Sequence, residues 1–238
     1  MADEVILTCS LNKSYLPVIN TQQLVYVLIE AVPGEAITAA SSLGQRLPLN
    51  LSLVLDRSGS MGGEKIKSLR KAARMVIDRL SDQDYISVAI FNDQAKVLVP
   101  SQLVADKKAL HDKIDDIRDR GGTAISKGMK LGLGELDKQS DPRRVSRMLL
   151  LTDGQTFGDE DECRKLAKEA GNKGIQVTAL GLGDDWNEDL LDDIAEASQG
   201  TSDFIDSPDK IMDFFQTTVQ SMQATIVRNA QMILRLVQ

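Results

Sequence analysis

From Pro48 onward the chain alternates short, almost unbroken apolar runs with segments whose apolar residues recur at helical spacing, and few folds accommodate that pattern. The run "LNLSLVLD" is apolar at most positions rather than at every second one, as a strand is when both of its faces are covered. The segment behind it carries Ile66, Leu69, Ala73, Val76, Ile77 and Leu80, close to the 3.6-residue period of a helix with one buried stripe. "YISVAIFN" and "AKVLVP" read as a strand pair joined by a tight turn near Asn92 and Asp93. A helix over 106–117, the loop "RGGTA" and a helix through Gln139 follow. "SRMLLLTDG" is again a buried strand, succeeded by a charged helix ending near Gly174, the strand "QVTALGLG" and a helix opened by Asn187. The strand "SDFID" precedes a last helix begun at "SPDK", with Ser207 as N-cap and Pro208 at the first helical position. Strands separated by helices of this length need crossover connections, hence a parallel sheet with helices on both sides. Residues 47–224 are therefore expected to be α/β: a doubly wound, mostly parallel central sheet flanked by helices.

The two ends follow a different rule. "VILTCSL" and "QQLVYVLIEAV" have no helix between them and pair most naturally as antiparallel strands. The tail "TIVRNAQMILRLVQ" alternates Met232, Leu234 and Leu236 with Ile233, Arg235 and Val237, as a strand does. The reading is a small antiparallel β element formed by the N- and C-terminal segments: sandwich strands in 1–46, the α/β domain in 47–224, and a returning strand in 225–238. "GEAITAASSLGQRL" reads as a linker.

A formal net charge of −7 leaves no basic excess to release counterions from nucleic-acid phosphates or to adhere to anionic lipid. Cys9 and Cys163 stand far apart, in no metal-ligand or redox spacing, and read as reduced thiols. Neither a signal-peptide pattern nor an apolar run of about 18 residues is visible, so a cytoplasmic location away from membranes is expected.

In open α/β sheets, ligands bind where loops diverge at the carboxyl ends of the strands. Three such loops share one chemistry: Asp56, Ser58 and Ser60 in "DRSGS", Thr123 in "GGTA", and Asp153 in "LLTDG". Hydroxyls and carboxylates without nitrogen or sulfur form a hard donor set suited to Mg2+, with Mn2+ or Ca2+ as alternatives, and less suited to zinc or copper. Each loop alone has a plainer explanation, since Asp56 or Thr123 could cap the helix that follows. Their combination on successive strand ends favours a metal site.

"DRSGSM", "GGT" and "LLTDG" resemble the metal-ion-dependent adhesion site (MIDAS) of von Willebrand factor A domains, over about residues 48–224. Asp56, Ser58, Ser60, Thr123 and Asp153 match all five of its positions. The flanking strands resemble, more loosely, the β-sandwich segments around such domains in bacterial and inter-alpha-trypsin-inhibitor-like proteins. The resemblance implies a protein-interaction module whose serines bind the metal directly and whose ion accepts an Asp or Glu carboxylate from a protein partner, with homotypic contact left open.

Two alternatives stand beside this. A metal could merely staple the loops of a structural module, or it could activate water in a hydrolase, which needs a base or nucleophile nearby. His111 lies on a charged helix away from the loops, Cys163 has acidic neighbours that suppress its thiolate, and no GxSxG or HExxH motif occurs, so an enzyme is not expected. "GGEKIKS" lacks the Gly-Lys-Ser/Thr end of a P-loop. Trp186 reads as either a flank of the binding face or, more plainly, a residue packing at the start of a helix, and Arg57 as either a steering charge for a partner carboxylate or an ordinary surface arginine.

Overall fold

The computed structural model describes residues 5–13, 24–33, 47–156 and 158–223. The chain divides into two compact units between Arg46 and Leu47. In the first, β1 (Val5–Leu11) and β2 (Val27–Pro33) pair antiparallel. Ile6, Leu7, Leu11, Val27, Leu28 and Val32 stay exposed on them. Two strands alone cannot bury an apolar face. The expected linker over 34–46 and the returning strand over 225–238 lie outside the described residues.

The second unit follows the expected order. It comprises β3 (Leu49–Asp56), α1 (Glu64–Arg79), β4 (Tyr85–Phe91), β5 (Ala95–Leu103), α2 (Lys107–Asp115), α3 (Ile125–Asp137) and β6 (Val145–Thr152). Then come α4 (Glu160–Asn172), β7 (Gln176–Leu182), α5 (Glu188–Ala197), β8 (Thr201–Ile205) and α6 (Ile211–Gln223). The sheet runs β5-β4-β3-β6-β7-β8, parallel throughout except for β5 on β4. The strand order reverses at β3, which has β4 on one side and β6 on the other, and a crevice at the carboxyl ends is the topological consequence.

Every residue of β3 is buried, as its near-continuous apolar run requires. Leu51, Leu53 and Leu55 face a core built with α1, α2 and α6, where Leu69, Ile77, Leu110 and Phe215 lie. Val54 faces the opposite core with α3, α4 and α5. Asn50, on Val54's side of the pleat, is satisfied there: its amide donates to the Leu136 carbonyl at 2.9 Å and reaches Ser146 Oγ at 3.2 Å.

Local details refine the sequence reading. Asp106 and Asn187 cap α2 and α5 through side-chain bonds to Ala109 and Leu190 N–H. Ser207 makes no such bond; Pro208–Lys210 form a 3-10 turn before α6, and the Ser207 hydroxyl serves Asp206 instead. Trp186 stacks on Phe204 with ring centroids 5.8 Å apart, over Gly181, where a Cβ would come within 2.2 Å of the indole. Among the described residues no helix is long and apolar enough to cross a membrane.

Cys163 is fully buried, and burial, followed by the charges of Asp159 and Glu160, pushes its thiol well above the ordinary range. Cys9 is exposed. Maleimide labelling followed by mass spectrometry is therefore expected to add one group to the native chain and two in denaturant. Two groups added to the native chain would contradict the burial.

Candidate metal centre

The three loops meet where β3 and β6 end side by side. Arg57 N–H donates to the Phe91 carbonyl at 2.8 Å, extending the β3–β4 ladder one residue into the first loop. The backbone then turns through Gly59–Met61, a 3-10 turn, before α1. The second loop is laced to the first by two backbone bonds, Arg120 N–H to the Arg57 carbonyl at 2.8 Å and Gly59 N–H to the Gly121 carbonyl at 2.9 Å. Gly121, at φ +76°, supplies a conformation that other residues adopt with difficulty. Asn92, at the turn after β4, ties down the same loop by donating to the Arg120 carbonyl at 2.8 Å.

The third loop is held by side chains. Thr152 Oγ1 donates to Asp56 Oδ2 at 2.6 Å, and Thr156 Oγ1 donates to the Thr123 carbonyl at 3.2 Å. Ser60 Oγ donates to Asp153 Oδ1 at 2.7 Å and lies 3.0 Å from Ser58 Oγ, which reaches the same Asp153 oxygen at 3.4 Å. A Cβ on Gly154 would sit 3.3 Å from Thr123 Oγ1 and 3.8 Å from Ser60 Oγ, so the glycine leaves a cradle into which the second and first loops project. All five expected residues thus gather at one end of the sheet. Asp56, Ser58 and Asp153 are buried, Thr123 is half-buried and Ser60 is exposed.

The electrostatics of the cluster invite a cation. Asp56 is fully buried, and desolvation pushes its carboxyl up to about 6 despite hydrogen bonds from Thr152 and Ser58, with the like charge of Asp153 adding to the rise. Two neighbouring carboxylates at low exposure are stabilised by positive charge between or beside them. Among the described residues no group of three or more His, Cys, Asp or Glu could hold a metal, so a cation here must lean on hydroxyl oxygens. The oxygens available are Ser58 Oγ, Ser60 Oγ, Thr123 Oγ1 and the two carboxylates. That hard set fits a divalent ion of the Mg2+ type.

Two residues stand differently from the sequence reading, and one was missed. Arg57 does not steer a partner. It is 7% exposed, and its guanidinium turns inward to the Arg118 carbonyl and Asn92 Oδ1, both at 3.4 Å, because the residue after Asp56 points to the opposite side of the extended chain. His111 is less solvated than a charged helix suggests, its ring set 3.0 Å from Asp78 near the far end of α1. The residue missed is Lys65, whose Nζ donates to Asp153 Oδ2 at 2.6 Å. Its only sequence signal is a place in the first helical turn after the serines, the same signal a solvated lysine gives.

An open α/β sheet of this strand order, with helices on both faces, is a domain of the doubly wound class. The chain belongs to the von Willebrand factor type A domain family, whose pattern matches residues 50–221. It is 41% identical over 193 residues to the uncharacterized protein sll0103 of Synechocystis sp., a match covering 81% of this chain and 46% of that one. The chain thus spans about half the length of that relative. Among solved structures, a von Willebrand factor type A protein from Catenulispora acidiphila superposes with a TM-score of 0.77 at 18% identity, covering 95% of this chain and 52% of that one. Proximal thread matrix protein 1 of the mussel byssus, solved with a zinc-occupied MIDAS motif, superposes with a TM-score of 0.63 at 23% identity, covering 74% and 46%.

Proposed function

We propose that this chain is a divalent-metal-dependent protein-interaction module, with Asp56, Ser58, Ser60, Thr123 and Asp153 as its metal site and an Asp or Glu carboxylate of a protein partner as its ligand. The observation that carries this reading is the convergence of the Ser58 and Ser60 hydroxyls on Asp153 Oδ1, across loops that are far apart in sequence. A hydroxyl that donates its proton to a carboxylate keeps its oxygen lone pairs free for a cation. Asp56 already accepts from Ser58 N–H and from Thr152 Oγ1, so it supports the ion electrostatically while holding the loops in place. Ser58, Ser60, Thr123 and the two aspartates would hold a divalent ion there, which would supply a Lewis-acidic position for a partner's carboxylate oxygen.

Mg2+ is the proposed resident, with Mn2+ or Ca2+ as alternatives. The mussel protein's zinc shows that a site of this name accepts zinc in that protein, so zinc belongs in the same titrations. The loops are joined directly by hydrogen bonds between their own atoms, which favours a binding role over a mere staple. A hydrolase is disfavoured by position. His111 pairs with Asp78, and α1 separates Asp78 from the serine loop by about 20 Å at 1.5 Å per residue. Residues 47–224 are the proposed interaction domain, and β1 and β2 the proposed pieces of an accompanying β-sandwich.

Mg2+ is expected to raise the melting temperature of the wild-type chain and to permit capture of acidic partners that chelator releases. Ser58→Ala is expected to bind Mg2+ at least about tenfold more weakly, a loss of about 1.4 kcal/mol. The variant keeps the bond from Ser58 N–H to Asp56, and circular dichroism checks that it is folded. Equal Mg2+ affinity in Ser58→Ala, measured by isothermal titration calorimetry, would refute the assignment.

A further inference from the structure

Lys65 holds a position that nothing in the proposed binding chemistry requires. It is the second residue of α1, and its side chain, 29% exposed, crosses to the third loop, where Nζ lies 2.6 Å from Asp153 Oδ2. A Cβ on Gly183, just past β7, would be 3.8 Å from the same ammonium, so Lys65 spans from the start of α1 toward the end of β7. Asp153 itself is fully buried. Its two oxygens are therefore divided: Oδ1 faces the serine hydroxyls and Oδ2 faces the lysine.

We propose that Lys65 is a built-in competitor for the charge of Asp153, weakening the site's hold on a divalent ion and thereby making a partner's carboxylate the completing anion. This rests on the metal reading above. With Lys65 present, the carboxylates Asp56 and Asp153 and the ammonium leave the site with one net negative charge, too little to balance a divalent ion. A cation held with the serine hydroxyls at Asp153 would be repelled by the ammonium paired with the same carboxylate, within the range where Coulomb forces matter even in water. The incoming carboxylate then supplies the missing charge, so metal and acidic ligand strengthen each other's binding by the same factor. Lys65 is a specificity-determining residue in this scheme, setting how far the metal's retention depends on the partner.

The test compares Mg2+ and Mn2+ binding, by calorimetry and by electron paramagnetic resonance of free Mn2+, in wild type, Lys65→Gln, Lys65→Met and Lys65→Arg. The glutamine variant keeps a hydrogen-bond donor for Asp153 without the charge, and it covers the case in which Lys65→Met fails to fold. Both neutral variants are expected to bind the ions about tenfold more tightly than wild type, and Lys65→Arg within about twofold of it. Acetate, added as the simplest carboxylate, is expected to enhance Mn2+ retention more in wild type than in the neutral variants. A lysine that only props Asp153 in place gives the opposite sign, weaker binding on its removal. Unchanged or weaker binding in Lys65→Gln, with wild type binding normally, overturns this inference alone. Failure of every form to bind either ion overturns the metal reading and this inference with it.

Discussion

Asp153→Asn is expected to bind Mg2+ at least about thirtyfold more weakly than wild type. The substitution preserves shape and hydrogen-bonding reach but removes a full charge from the point where the Ser58 and Ser60 hydroxyls converge. Even at the dielectric constant of bulk water, a unit charge about 4 Å from a divalent ion is worth about 2 kcal/mol, which sets the thirtyfold floor. Burial raises the effect, because Asp153 has no exposed surface. Lys65 adds to it: its ammonium, balanced in wild type by Asp153 Oδ2, faces the site uncompensated in the variant. The measurement is calorimetric titration, with circular dichroism to establish that the variant is folded. Affinity within threefold of wild type in a folded Asp153→Asn would remove Asp153 from the site.

Gly200→Ala is expected to produce a large loss of stability. Gly200 lies between α5 and β8, its N–H bonded to the Ala195 carbonyl at 2.8 Å. A Cβ there would stand 1.9 Å from the Val177 carbonyl oxygen and 2.7 Å from its carbon. The obstacle is backbone in β7, not the yielding tip of a side chain, so relief requires the α5–β8 connection to move off the sheet. Overpacking of this kind costs about 3 kcal/mol or more, and in a domain of this size each kcal/mol lowers the melting temperature by about 2–4 °C. Thermal unfolding in chelator, where metal does not contribute, is the appropriate comparison. A melting temperature equal to that of wild type would show that the connection is looser than its packing implies.

The α/β architecture was legible because burial on both faces leaves a plain trace. "LNLSLVLD" and "SRMLLLTDG" lack the alternation of half-exposed strands, and β3 and β6 are buried along their whole lengths. Four of the five oxygen-bearing residues were legible for a second reason: short polar side chains at or just after the end of such strands must lie at the sheet's carboxyl end, whereas Thr123 stands on the loop between α2 and α3 and follows no strand. What escaped was anything decided by direction in space. Whether Arg57 points out or in depends on where Arg118 and Asn92 arrive from other loops. Thr152, within the last buried strand residues of β6, gave no hint that its hydroxyl would brace Asp56. Lys65 was hidden most completely, since a lysine on a helix's first turn reads the same whether it meets solvent or a carboxylate contributed 88 residues later.

The seat of Trp186 on Gly181, against Phe204, makes the domain its own spectroscopic instrument. It is the chain's one tryptophan, so every photon excited at the red edge of protein absorption reports from a single address at the end of β7. The indole packs against the core shared by α3, α4 and α5, so its emission reports on the closure of that side of the sheet. Unfolding of this edge of the sheet can therefore be followed by intrinsic emission, without dye, tag or mutation.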